Sequence, residues 1–293
     1  MELINPYYEI SNQESFDLIG IYKQIEKTGR VSHKSEDRIT ETSAKDFVEK
    51  LIGWGHTACL EQGTVYLFVP VKEELLNTIE SLEYYSTYEL FLHNPYSIFN
   101  SVDDHISETG YYITTNYRVL YENDVLDLLK YICEPTENHH KRYCVKFICS
   151  RAISHELVRH RVFSFLQESQ RYVNYKNKKG INFIQPLWYN PLKFNHYYKS
   201  FTKDQWTKED IFYNNCCESE YDYFSLLDKG LKPQEAREVL INATKTEICM
   251  TGFTTQWEEF FKLRCDNAAH PEMRRLTIPL KEEFIKRGYI NNF

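Results

Sequence analysis

Short β-branched and aromatic runs recur along this chain, but helical stretches of uneven length separate them and they never settle into a regular βαβ rhythm. That irregularity constrains the fold more than any other feature. Doubly wound and barrel folds need strands and helices in strict alternation, and solenoids need a fixed repeat. Neither pattern is present. What remains is an α+β, or irregular α/β, fold: a central, mostly antiparallel sheet flanked by helices. The 293 residues are enough to bury a sizeable core. No linker rich in Gly, Pro or Ser divides them, so one domain over residues 1–293 is expected.

Individual segments follow the same logic. Leu3–Ile25 and Lys45–Leu51 read as strand and helix pieces. Thr64–Val71, Gly110–Val119, Ile181–Pro186 and Thr244–Met250 have strand composition. Leu75–Phe99 reads as helical in its first half, and Asn123–Tyr131 as an amphipathic helix. Lys141–Phe163 reads as the strongest helix, because Val145, Ile148, Ala152, Ile153, Leu157 and Val158 recur at three and four. Gln205–Leu227 is a further helix, closed by Gly230. Pro233–Leu240 restarts one, with Pro near its first position. A final helix runs from about Gln256, where Thr255 and Glu258 form a capping-box pattern.

Composition removes several classes of function. With 42% hydrophobic and 26% charged residues, 23 Tyr and 18 Phe, the chain is not disordered. A net charge of −7 argues against holding long nucleic acid by its phosphates. No stretch approaches the roughly 20 apolar residues of a membrane span, and Met1–Pro6 has no signal-peptide pattern. The eight cysteines include no C-x-x-C pair, so free thiols in a cytoplasmic protein are expected, Cys216 and Cys217 among them. His155, Glu156 and His160 miss the i, i+4 histidine spacing of a zinc helix, so no metal is expected. His139-His140 reads as a solvated helix start.

Two clusters invite chemistry. Arg159-His160-Arg161 is either a solvated basic helix end, favoured by the helix dipole, or part of a donor set with the residues that follow. Ser164, Gln167 and Arg171 are spaced to share one face if that stretch is helical. Ser169 has no evident base beside it, which favours binding over nucleophilic attack. Far along the chain, Arg264 falls on the apolar stripe of Trp257, Phe260, Phe261 and Ala268. It either snorkels past that stripe to water or meets a bound ring as a desolvated guanidinium.

The run RHRVFSFLQESQRY resembles the signature of flavin-dependent thymidylate synthases, an Arg-His-Arg followed after seven residues by Ser. Arg159, His160, Arg161 and Ser169 meet it, and Ser164, Gln167, Arg171 and Tyr172 meet its extension. Leu166 stands where a small polar residue is common. Ala236–Leu276 is similar to the same family: Arg237 matches an arginine that holds the nucleotide, and Arg264 one that polarises the uracil ring. Ile241 replaces a Pro there. GWGHTACLEQGTVYLF resembles a His-x-x-x-x-Glu-His segment through His56 and Glu61, with Gln62 replacing the second His, and places Thr64 on a flavin contact. Gly252-Phe253-Thr254-Thr255 departs from the family's Gly-Asn-x-Arg turn. An Asn-Tyr-Arg run at Asn116–Arg118, which by itself reads as a strand's polar edge, lies in an insertion at about 72–135 that shorter members lack.

The resemblance implies reductive methylation of dUMP to dTMP, with 5,10-methylenetetrahydrofolate as carbon donor and FAD, reduced by NADPH, as hydride carrier. It implies Arg264 as the catalytic residue and Thr64, Arg159, His160, Arg161 and Gln167 against FAD. On dUMP it implies Glu156, Arg159, Gln167, Glu168, Ser169, Gln170, Arg171, Arg237 and Arg264. It also implies a homotetramer with shared active sites. Two other classes stay open: a flavin- or nucleotide-binding relative without catalysis, given Gln62, Phe253 and Thr255, and an RNA-binding module, which the acidic balance opposes.

Overall fold

The computed structural model describes residues 1–70, 89–103, 109–177 and 180–292. In chain order these form β1 (Glu2–Ile4), β2 (Tyr7–Ile10), α1 (Leu18–His33), α2 (Ser43–Gly53), β3 (Thr64–Pro70), β4 (Ile98–Asp103), β5 (Thr109–Asn116), α3 (Tyr117–Glu122), β6 (Arg142–Ser150), α4 (Arg151–Leu157), β7 (Ser164–Gln167), β8 (Asn182–Ile184), α5 (Lys208–Asp228), α6 (Pro233–Ala236), β9 (Lys245–Phe253), α7 (Thr254–Arg264) and α8 (Pro271–Lys286). The principal sheet runs β2-β6-β9-β7 and is antiparallel at every pairing. A second antiparallel sheet runs β3-β5-β4, and β1 pairs with β8 in parallel. The expected architecture, a mostly antiparallel sheet flanked by helices, is the one that forms.

β6 and β9 lie at the centre because both of their faces are apolar. Val145, Phe147, Cys149, Ile248 and Met250 point to one side, against Trp257, Phe260 and Phe261 of α7 and Leu276, Leu280 and Phe284 of α8. Cys144 and Cys249, with Leu166 of β7, point to the other, against Ile21 and Ile25 of α1 and Leu67 of β3. Phe91, Ile113 and Leu120 join this second cluster. Each such aliphatic or aromatic side chain contributes roughly 1.5–3 kcal/mol when fully buried.

This two-sided burial overturns the helix expected over Lys141–Phe163. A strand covered on both faces loses its alternation, and its apolar residues then also fall at three and four. Ser150 ends the strand, its Oγ accepting from the Ile153 N–H at 3.3 Å to cap α4. The residues after the Arg-His-Arg turn form β7, so Ser164 and Gln167 face opposite sides and share no helical face.

Other boundaries shift for local reasons. Gly110–Val119 does not stay extended: Asn116 Oδ1 accepts from the Val119 N–H at 3.1 Å and starts α3, so Asn116–Arg118 is a helix start and not a strand edge. Asn123–Tyr131 is a 3-10 helix over Leu126–Tyr131. Thr255 lies inside α7, whose first turn is closed instead by the Phe253 N–H donating to Gln256 Oε1 at 2.8 Å. That helix stops at Arg264, so Ala268 is not on its stripe. His139 is buried, its ring beside Leu67 O and Thr136, and starts no helix. The first half of Leu75–Phe99 falls outside the described residues. All eight cysteines are free. No described helix is long and apolar enough to cross a membrane.

Candidate functional site

α4 ends at Leu157 and the chain turns through Arg159–Arg161 into β7. Phe163 anchors that turn, with its ring centroid 4.9 Å from that of Trp257. Gly252 makes the space: a Cβ there would lie 2.4 Å from the Phe163 ring. The three cationic-capable residues then separate. Arg159 and Arg161 are exposed, with no ion-pair partner among the described residues. His160 turns inward and stacks edge-on against Phe260. The solvated helix-end reading therefore holds for the two arginines and fails for the histidine.

His160 meets Arg264. The Arg264 Nε–H donates to His160 Nε2 at 2.7 Å, Nη1 donates to Glu156 Oε2 at 2.9 Å, and Nη2 donates to the Glu156 carbonyl at 3.2 Å. A ring nitrogen that accepts is unprotonated, so His160 carries its proton on Nδ1. Burial, and then the adjacent guanidinium charge, push its pKa down to about 4. A guanidinium has five N–H groups; three are engaged here, and two remain for a ligand. Arg264 thus does not snorkel past the stripe: its side chain is 19% exposed and held on two sides.

A second group forms where β7 runs into the Glu168–Tyr172 loop. Gln167 Nε2 donates to Ser154 Oγ at 2.9 Å and Thr246 Oγ1 at 3.1 Å, which leaves its carbonyl as an acceptor. Glu168 is buried on Lys245 at 3.0 Å and Tyr175 at 3.4 Å. The Ser169 N–H donates to Ser32 O at 2.9 Å, and Ser169 Oγ accepts from the Arg171 N–H at 3.2 Å. Gln170 is buried beside Tyr175. Lys245 and Lys34 both pair with Glu247. Burial pushes the Glu247 carboxyl up, but the two ammonium groups prevail and hold it at about 2.

Arg237 is one-third exposed, and its ion pair among the described residues is with Glu238 at 3.7 Å. Its charge is also felt by Arg151, which sequence reasoning missed. Burial, and then the Arg237 charge, lower the Arg151 pKa, and no carboxylate forms an ion pair with it among the described residues. Two adjacent guanidinium groups without a bridging carboxylate suit a phosphate. The only signal in the sequence was an arginine directly after a capping serine.

Arg171 is exposed, its guanidinium 5.4 Å from the Tyr172 ring. Tyr172 stacks on His33 at 5.3 Å, His33 stacks on His56 at 6.4 Å, and Trp54 meets His56 edge-on at 5.9 Å. This stack borders a cleft of about 690 Å³ lined by Arg30, Lys34, Arg38 and Lys50, with Asp37 and Asp46 among them. The cleft joins α1, α2 and the loop after Tyr172, segments too far apart in sequence to be read together.

The His56–Thr64 segment folds inward. Glu61 pairs with Arg118 at 2.5 Å, which brings the Asn116–Arg118 run onto it. Gln62 Oε1 accepts from Thr251 Oγ1 at 2.5 Å. Thr64 is buried, and its Oγ1 accepts from Arg142 Nη1 at 3.3 Å. No hydrogen bond or ion pair among the described residues joins Thr64, Arg171 or Arg237 to Arg264. Nor does any group of three or more His, Cys, Asp or Glu among them form a metal site.

Residues 134–287 match the family model described as "Thymidylate synthase complementing protein", more than half of the chain. The match covers both arginine groups and excludes His56, Glu61, Gln62 and Thr64. A flavin-dependent thymidylate synthase of Geobacter sulfurreducens is 34% identical over 131 residues, 45% of this chain and 50% of that one. Another, of Pyrococcus furiosus, is 29% identical over 189 residues, 63% of this chain and 72% of that one. The chain spans about half the length of the first of these curated relatives. A solved structure of thymidylate synthase X from Helicobacter pylori with FAD and dUMP is 22% identical, with a TM-score of 0.36 over 48% of this chain and 66% of that one. On the family match the conclusion is plain: this chain belongs to the thymidylate synthase complementing protein family.

Proposed function

We propose that this chain is a flavin-dependent thymidylate synthase, methylating dUMP to dTMP with 5,10-methylenetetrahydrofolate as carbon donor and NADPH as reductant. One observation carries the reading: Glu156, His160 and Arg264 close into a single hydrogen-bonded cluster across more than a hundred residues of chain. A guanidinium fixed by a carboxylate and a neutral imidazole is pre-oriented. Its two remaining N–H groups can meet charge developing on a uracil ring without reorganising. His160, being neutral, leaves Arg264 as the positive centre there.

The residues fit FAD. Arg159 and Arg161 offer two exposed guanidinium groups on one turn, without an ion-pair partner among the described residues and suited to a diphosphate, and we assign His160 and Gln167 to the same cofactor. Phe253 is buried and Thr255 exposed, so neither replaces the Asn and Arg of the family's turn. Thr64 reaches toward the cofactor only through Arg142. When bound, reduced FAD supplies the hydride that completes the methyl group.

For dUMP we assign Arg237, Arg171 and Arg151 to the phosphate, and Gln167, Ser169 and Gln170 to polar edges. Glu156 acts by holding Arg264, and Glu168 by fixing the loop through Lys245. The aromatic stack with its basic rim suits a flat anionic donor such as the folate. The resemblance to the family supports a homotetramer in which a neighbouring subunit completes each site.

The test is product formation. Purified protein supplied with FAD, NADPH, methylenetetrahydrofolate and dUMP is expected to yield dTMP. Binding of FAD and dUMP with no dTMP would leave a binding relative without catalysis, the reading that Gln62 and Phe253 favour.

A further inference from the structure

Arg142 begins β6 and is fully buried, yet no carboxylate lies within ion-pair reach of it among the described residues. Its nearest acid, Glu61, is engaged by Arg118. Nη1 and Nη2 reach only neutral acceptors: Thr64 Oγ1 at 3.3 Å, the Glu61 carbonyl at 3.3 Å and Ser164 Oγ at 3.2 Å. Its Nε–H has no partner at all. An unpaired buried charge costs several kcal/mol, so something else is needed to complete it.

Arg142 borders a cavity of about 200 Å³ between β3, β6 and the segment preceding α1. That is room for on the order of ten waters. The fully buried groups around it that lack a partner are donors. Gln62 is 0% exposed and its Nε2 has no partner. The Tyr66 hydroxyl accepts from the Arg142 backbone N–H at 3.2 Å, so its own hydrogen is available to the cavity. Most of the amide acceptors are occupied: Gln62 Oε1 by Thr251, Gln13 Oε1 by the Thr64 N–H, and Asn12 Oδ1 by the Cys144 N–H, while Gln24 Oε1 keeps an open acceptor at the rim. No aspartate or glutamate lines the space.

We propose that this cavity is an oxyanion-binding site, in which Arg142 and Gln62 donate to a phosphate or carboxylate group. A ligand that only accepts hydrogen bonds matches unpaired donors beside a cation without a counter-ion. The site lies on the α1 side of the sheet, apart from the Arg264 cluster, and it stands whether or not the chain is a synthase.

Thermal melting of the full chain at constant ionic strength tests it, with chloride replaced by inorganic phosphate or by acetate. The midpoint is expected to rise saturably with at least one of them, and which one distinguishes a tetrahedral from a planar group. Arg142→Met should weaken that response at least tenfold in apparent affinity, while melting in chloride no lower than the parent, since it removes an uncompensated buried charge. Gln62→Leu should weaken the response as well. Repeating the titration with FAD bound keeps this cavity distinct from the Arg159–Arg161 turn: the response is expected to persist, and its loss would overturn a separate anion site. No saturable rise, or one that survives Arg142→Met or Gln62→Leu undiminished, overturns the site.

Discussion

Arg264 is held at three of its five N–H groups, and the account turns on what the other two do. Arg264→Ala is expected to lower turnover by on the order of 10²–10³-fold, the scale of removing a donor aimed at developing charge. FAD should stay bound, because Arg159 and Arg161 are untouched. Single-turnover kinetics with flavin absorbance separate the two effects. The same substitution has a signature at His160. With the guanidinium gone, its imidazole should titrate above the about 4 of the parent, toward the ordinary histidine range, followed by the ring resonances in NMR. The sign for stability is fixed. In the parent, the unfolded chain takes up a proton near the ordinary histidine pKa while the folded chain resists down to about 4, so stability falls as pH drops through that window. Arg264→Ala should make that fall shallower, as measured by urea unfolding at pH 7 and pH 5. Arg264 was legible in the sequence as an arginine on an apolar stripe. Its partners were not, because Glu156 and His160 are brought to it by tertiary packing alone.

At the scale of elements, the sheet carries both groups, since β6 leads into α4 and β9 into α7. Phe284 of α8 lies in the aromatic cluster beneath them, against Trp257, Phe261 and Tyr289. Phe284→Ala should cost about 3–5 kcal/mol in chemical denaturation. Glu247 on β9 gives an acid limb: its carboxyl is held at about 2, so its contribution is present above the ordinary carboxylate range and lost as pH falls toward 2. Glu247→Gln should lower stability at pH 7 and flatten the decline between pH 5 and pH 3. β3, β8, β9 and α5 were readable, because short β-branched and aromatic runs and the glycine closing a helix are local signals. β6 was not, because two apolar faces give no alternation. Arg142 was missed for a related reason. An arginine beside Lys141, at the start of a segment that reads as a helix, looks solvated, and only the packing of β3 and the segment before α1 buries it.

For the whole molecule, several residues assigned to ligands lie open at the surface: Arg159, Arg161, Arg171 and Tyr172 are exposed. If neighbouring subunits complete each site, Arg264→Ala and Arg171→Ala proteins, each inactive alone, should regain a fraction of activity when co-expressed. Light scattering should report four chains per particle. Activity absent from every mixture, or a monomer with full turnover, would remove the shared-site arrangement. Catalysis at Arg264 is tested by tritium release from dUMP labelled at the 5-position, with FAD-loaded protein. Release is expected to require both NADPH and methylenetetrahydrofolate and to be lost in Arg264→Ala. No release from protein that demonstrably holds FAD and dUMP, or release undiminished in Arg264→Ala, would contradict it.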